Sequence, residues 1–83
     1  MSEPGQPQTV LVDARGLSCP LPLLEARRAL QLLPPDAVLV VLATDPAAPD
    51  DFADFAFTRD LVLDEARHDD GSFRLTLRRA DAG

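Results

Sequence analysis

Apolar residues recur at helical spacing in residues 20–33. Leu23, Ala26, Leu30 and Leu33 fall at three- and four-residue steps and predict one apolar face, with Glu25, Arg28 and Gln31 on the wet side. Pro20 and Pro22 mark the start of this helix, because the N–H that proline lacks has no intrahelical partner in the first turn. The helix is expected to run from residue 20 or 22 to residue 33, where Pro34, Pro35 and Asp36 stop it. Before it, residues 9–13 (T-V-L-V-D) are short, apolar and β-branched, and read as a strand. After it, residues 37–43 (A-V-L-V-V-L-A) are apolar without interruption, as in a central strand buried on both faces and paired in parallel.

Residues 44–60 form a second helical region. Either Asp45 caps it with Pro46 at the first position, or Pro49 marks a later start. Phe52, Phe55 and Ala56 supply its apolar face. Residues 61–68 and 72–79 are two strands joined by Asp69-Asp70-Gly71, a hairpin signal. In the last strand Phe73, Leu75 and Leu77 alternate with Arg74, Thr76 and Arg78, which predicts a sheet covered on one face and wet on the other.

The order is β-α-β-α-β-β. A strand, a helix and a parallel strand require a right-handed crossover. The expected fold is therefore α+β: a two-layer α/β sandwich with a mixed four-stranded sheet and both helices on one face. If Val38, Val40 and Leu42 face the helices, Leu39 and Val41 join Val10 and Val12 in an apolar patch on the open face. Such a patch suits a weak homodimer or a partner. Residues 1–8, rich in Pro, Gly and Gln, read as a disordered tail, residues 9–79 as one domain, and residues 80–83 as a frayed end.

Candidate chemistry centres on Cys19, the only cysteine. It stands just ahead of the first helix, at the position of a capping residue, and Pro20 disfavours the α conformation there. A helix N-terminus offers partial positive charge and free N–H donors, both of which favour a thiolate. Arg15 adds positive charge nearby if it is turned toward the sulfur, and Leu21 and Leu23 are the first residues able to donate an N–H to it. Gly16 relaxes the backbone for a turn before the site. Asp13 and Arg15 either orient this loop or form an ordinary surface ion pair. A lone cysteine is more often a small buried hydrophobe, but the paired prolines and the helix start favour an exposed, acidified thiol. Pro22 is expected to act on the geometry of Cys19 more than on stability.

The run D-A-R-G-L-S-C-P-L-P resembles the signature of the TusA/SirA-like sulfur-carrier family, a C-P-x-P motif at the start of the first helix. Asp13, Gly16, Cys19, Pro20 and Pro22 match it position by position, and the similarity in length and element order extends from about residue 10 to residue 79. The resemblance implies the same two-layer sandwich. It also implies a sulfur carrier, or sulfurtransferase, that holds sulfur as a persulfide on Cys19. Its partners would be a donor, such as a cysteine desulfurase or a rhodanese-like protein, and an acceptor protein. Thr58, Arg59 and Asp60 stand where many relatives have a glycine, which implies a less sharply defined end to the second helix.

Composition narrows the alternatives. The chain has 83 residues, 46% of them hydrophobic, which is one small domain with a modest core. The net charge of −6 opposes direct binding to nucleic acid and disfavours a nucleic-acid-associated regulator. It suits docking onto basic patches of proteins. No apolar run approaches the ~20 residues of a membrane span, the N-terminus lacks a signal-peptide core, and a free thiol fits the cytoplasm. Asp50, Asp51 and Asp54 read as a solvated, dipole-favoured helix start in preference to a metal site. His68, beside the hairpin, reads as a surface residue in preference to a partner of Cys19. No cofactor is implied. Persulfide transfer needs neither base nor oxyanion hole. The alternative function is a thiol-based redox-sensing or regulatory interaction module.

Overall fold

Strand phase in this fold is set by the last strand. The computed structural model describes residues 8–80; the tails expected at either end lie largely outside the described residues. The elements are β1 (Thr9–Ala14), α1 (Leu21–Gln31), β2 (Val38–Ala43), α2 (Ala48–Arg59), β3 (Leu61–Arg67) and β4 (Phe73–Arg79). They form one mixed sheet in the order β1-β2-β4-β3, with β1 and β2 parallel and the other pairings antiparallel. In β4, Phe73, Leu75 and Leu77 are buried, whereas Arg74 and Arg78 are exposed. Pairing of Leu77 with Leu39, Leu75 with Val41 and Phe73 with Ala43 carries that phase into β2. Pairing of Leu39 with Val10 and Val41 with Val12 carries it on into β1.

The predicted phase of β2 is therefore reversed. Leu39, Val41 and Ala43 lie in the core with Phe52 and Phe55 of α2 and Ala26 of α1, and Val10 and Val12 pack against the same cluster. The apolar patch expected from Leu39, Val41, Val10 and Val12 is thus covered by the helices. The open face instead carries a groove lined by Thr9, Leu11, Val40, Leu42, His68 and Arg74. An uninterrupted apolar strand has no polar residue to mark its phase, and a shift of one residue exchanges its two faces.

Each helix carries a proline in its first turn, as expected: α1 starts at Leu21, between Pro20 and Pro22, and α2 at Ala48, beside Pro49. Pro20 is the N-cap of α1 and Pro22 is buried at its second position. Ala47 is the N-cap of α2, with Pro49 in the first turn, so the later of the two predicted starts is the one found. Asp45 does not cap α2. At the other end α2 stops sharply: Asp60 adopts the left-handed conformation (φ 58°) and its N–H closes on the carbonyl of Ala56. Aspartate tolerates this region better than most residues, and so replaces the glycine. Among the described residues no helix is long and apolar enough to cross a membrane.

Candidate functional site

The parallel pairing of β1 and β2 brings their C-terminal ends together, with Ala14 opposite Ala43. The loop after β1 therefore meets the connection after β2. Gly16 takes φ 83°, a conformation that glycine reaches without strain. Its N–H donates to Thr44 Oγ1 at 2.9 Å, and the N–H of Leu17 donates to the carbonyl of Ala14 at 3.2 Å. The chain then reaches Ser18 and Cys19, and the peptide between Cys19 and Pro20 is cis.

Cys19 is exposed, as expected. Two carboxylates hold it. Its backbone N–H donates to Asp45 Oδ2, and its Sγ lies 3.0 Å from Asp51 Oδ2. The second oxygen of Asp45 accepts the N–H of Ala47 at 3.1 Å, so one side chain ties the cysteine loop to the entry of α2. Asp51 comes from the first turn of α2.

The expected acidification of the thiol is not found. Cys19 is pushed above the ordinary thiol value, first by its hydrogen bond to Asp51, then by partial loss of water, then by the charges of Asp51 and Asp45. A full negative charge at contact outweighs the partial positive charge of a helix end. Two of the other supposed sources of positive field, Leu21 and Arg15, are committed elsewhere. Leu21 N–H donates to the carbonyl of Ser18 at 2.8 Å. Arg15 makes a two-pronged pair with Asp13, Nε to Oδ1 and Nη2 to Oδ2, both 2.8 Å, and its backbone N–H reaches Oδ1 at 3.1 Å. That pair lowers the Asp13 carboxyl to about 2. Asp13, Arg15 and Gly16 thus shape the loop and do not touch the sulfur.

Of the expected residues, Asp13, Arg15, Gly16, Cys19, Pro20 and Pro22 lie along one continuous stretch, from the end of β1 through the loop to the start of α1. Thr44, Asp45 and Asp51 complete the site and were not anticipated. Thr44 and Asp45 had a signal in the sequence: residues that directly follow two adjacent parallel strands meet at one end of the sheet. The strand register also brings the β3–β4 hairpin to this same end. His68 is nonetheless tied to the hairpin, its N–H donating to the carbonyl of Ser72 at 2.9 Å, and it lines the open-face groove away from α1. Among the described residues, no group of three or more His, Cys, Asp and Glu has the geometry to hold a metal ion.

The fold and the site define a class: a small two-layer α/β sandwich that presents a single free cysteine at the mouth of its first helix. The chain belongs to the sulfurtransferase TusA family, whose model matches residues 10–79. It is 46% identical over 66 residues to a candidate sulfur carrier protein of Neisseria meningitidis serogroup A, a match covering 80% of this chain and 89% of that protein. It is 38% identical over 69 residues to the sulfur carrier protein TusA of Allochromatium vinosum, covering 83% and 91%. The fold is similar to that of the SirA-like protein of Desulfitobacterium hafniense, with a TM-score of 0.73 and 24% identity over 81% of this chain and 92% of the other.

Proposed function

We propose that this protein is a sulfur carrier that takes up sulfur as a persulfide on Cys19 and hands it to an acceptor protein. The observation that carries the reading is the exposed thiol at the end of a braced loop, within a chain of this family. In the first step the Cys19 sulfur attacks the terminal sulfur of a donor protein's persulfide. The S–S bond of the donor breaks, its electron pair leaves with the donor cysteine as a thiolate, and the proton of Cys19 passes to that thiolate or to water. Cys19–SH and donor–S–SH become Cys19–S–SH and donor–SH, with no net oxidation. In the second step an acceptor thiolate attacks the terminal sulfur of the Cys19 persulfide and restores the thiol.

Residues 9–79 act as the carrier domain. The donor is a cysteine desulfurase or a rhodanese-like protein, the acceptor is a protein, and the relay runs in the cytoplasm. The redox-sensing alternative loses ground because sensor cysteines are low-pKa thiols, and the carboxylates beside Cys19 act in the opposite direction.

The test is intact-mass measurement after incubation with a cysteine desulfurase and cysteine. The expected result is a gain of one sulfur atom, removed by reductant and absent in Cys19→Ser. No gain on the wild-type chain, or the same gain in Cys19→Ser, overturns the proposal.

A further inference from the structure

The two carboxylates at Cys19 come from outside the cysteine motif, and the carrier chemistry does not by itself require them. Asp51 lies 32 positions along the chain from Cys19, on a different element, yet its Oδ2 is 3.0 Å from the sulfur. At that separation the S–H proton lies between the two atoms, and the bond ties the sulfur to the first turn of α2. Asp45 fixes the backbone of the same residue from the second side. The nearest cation along the loop, Arg15, is paired with Asp13. Beyond Asp51 a shallow depression of about 310 Å³ between α1 and α2 continues the acidic surface, lined by Leu23, Asp51, Asp54, Phe55 and Thr58.

We infer that Asp51 is a positioning residue that holds the Cys19 sulfur as a neutral, hydrogen-bonded thiol in the free carrier, and that a productive partner must bring a cationic group to this carboxylate to release the sulfur for attack. The inference rests on the sulfur-carrier reading for the identity of the partner, but not for the state of the thiol. The groups facing the sulfur are Asp51 from α2 and Asp45 from the connection after β2, both acidic. Neither stabilises a thiolate. An arginine or lysine of the partner, paired with Asp51, removes the hydrogen bond acceptor and offsets the charge together. The proton then leaves to water or to the departing donor thiolate, and the sulfur attacks the donor persulfide as described above. Reactivity is thereby confined to the docked complex, and the free thiol is a weak target for stray electrophiles.

The experiment compares wild type with Asp51→Asn and Asp51→Glu, each confirmed folded by circular dichroism. The first readout is the rate of alkylation of the free protein by iodoacetamide across pH. Removing a unit charge in contact with the sulfur raises the thiolate population about tenfold in a water-like dielectric. The thiolate's intrinsic nucleophilicity falls by somewhat under half as many decades. Asp51→Asn is therefore expected to react about threefold faster at neutral pH, with its pH midpoint moved down. Asp51→Glu, which keeps the charge, is expected to stay closer to wild type. The second readout is persulfide transfer from a cysteine desulfurase, where Asp51→Asn is expected to raise KM several-fold, because the partner's cation has lost its counterpart. An unchanged or slower alkylation of Asp51→Asn, equal acceleration in both variants, or an unaltered KM overturns the inference. Failure of the wild-type chain to take up any sulfur would overturn the carrier reading instead, and would leave the alkylation comparison intact.

Discussion

Asp45 is the bracket that joins the cysteine loop to the second helix, and its removal has a calculable cost. Its two oxygens accept separate backbone donors, the N–H of Cys19 and the N–H of Ala47. Both bonds are near the surface, where the freed donors can turn to water, so each contributes about 1 kcal/mol net instead of the larger figure for a buried charged acceptor. Asp45→Ala should therefore lose about 2 kcal/mol. A domain of this size has roughly 4–12 kcal/mol in all, and 1 kcal/mol shifts its melting point by about 4–8 °C. The expected drop is about 8–16 °C in a thermal melt followed by circular dichroism. Asn keeps only one side-chain oxygen, so Asp45→Asn should fall about halfway. Persulfide transfer should fall in both variants, because the loop that carries Cys19 is no longer tied to α2. A melting point for Asp45→Ala within about 2 °C of wild type would refute the bracket: at this size such a shift corresponds to less than about 0.5 kcal/mol.

Cys19→Ser should melt close to wild type, since the exposed serine hydroxyl can donate to Asp51 as the thiol does; a large loss of stability would mean that the thiol is part of the core. Pro22→Ala should destabilise by about 1.5 kcal/mol, because two buried methylenes are lost at about 0.8 kcal/mol each; denaturant unfolding measures it. The Asp13 carboxyl should titrate at about 2 by NMR, and Arg15→Ala should return it toward the ordinary value of 3.8. Because the folded-state value is the depressed one, the pair's contribution to stability is present above pH 3.8 and fades as the pH falls to about 2.

The element order, the hairpin at residues 69–71 and the apolar face of β4 could be read from the chain because local residues mark them. Asp-Asp-Gly demands a turn, and Arg74, Thr76 and Arg78 label the wet face. The phase of β2 could not be read, because Val38 to Ala43 contains no polar residue; its neighbours decide it through register. The end of α2 at Asp60 was obscured for a related reason. A non-glycine residue in the left-handed region is paid for by tertiary context, and propensity alone favours glycine there. Pro22 was legible as a helix-start residue, but its burial was not. Proline at the second helical position is compatible with an exposed or a covered first turn, and only the packing of α1 on the sheet distinguishes them.

The thiol itself shows most clearly where one-dimensional reading stops. A cysteine before a proline-started helix has one local field, that of the helix end, and from the sequence around it the sulfur should be acidic. The parallel pairing of β1 with β2 adds a second field from residues 26 and 32 positions away, and that field has the opposite sign and comes from a full charge at contact distance. For an enzyme that must generate its own nucleophile this would be a fault. For a carrier it is an advantage, because the same sulfur has to be inert between two partners and reactive within each. A carboxylate in contact with the thiol provides the inert state. A partner's positive charge, which an acidic protein with net charge −6 attracts, supplies the reactive one. Placement of Cys19 at the helix start then keeps the sulfur exposed and oriented, while control of its charge belongs to the first turn of α2.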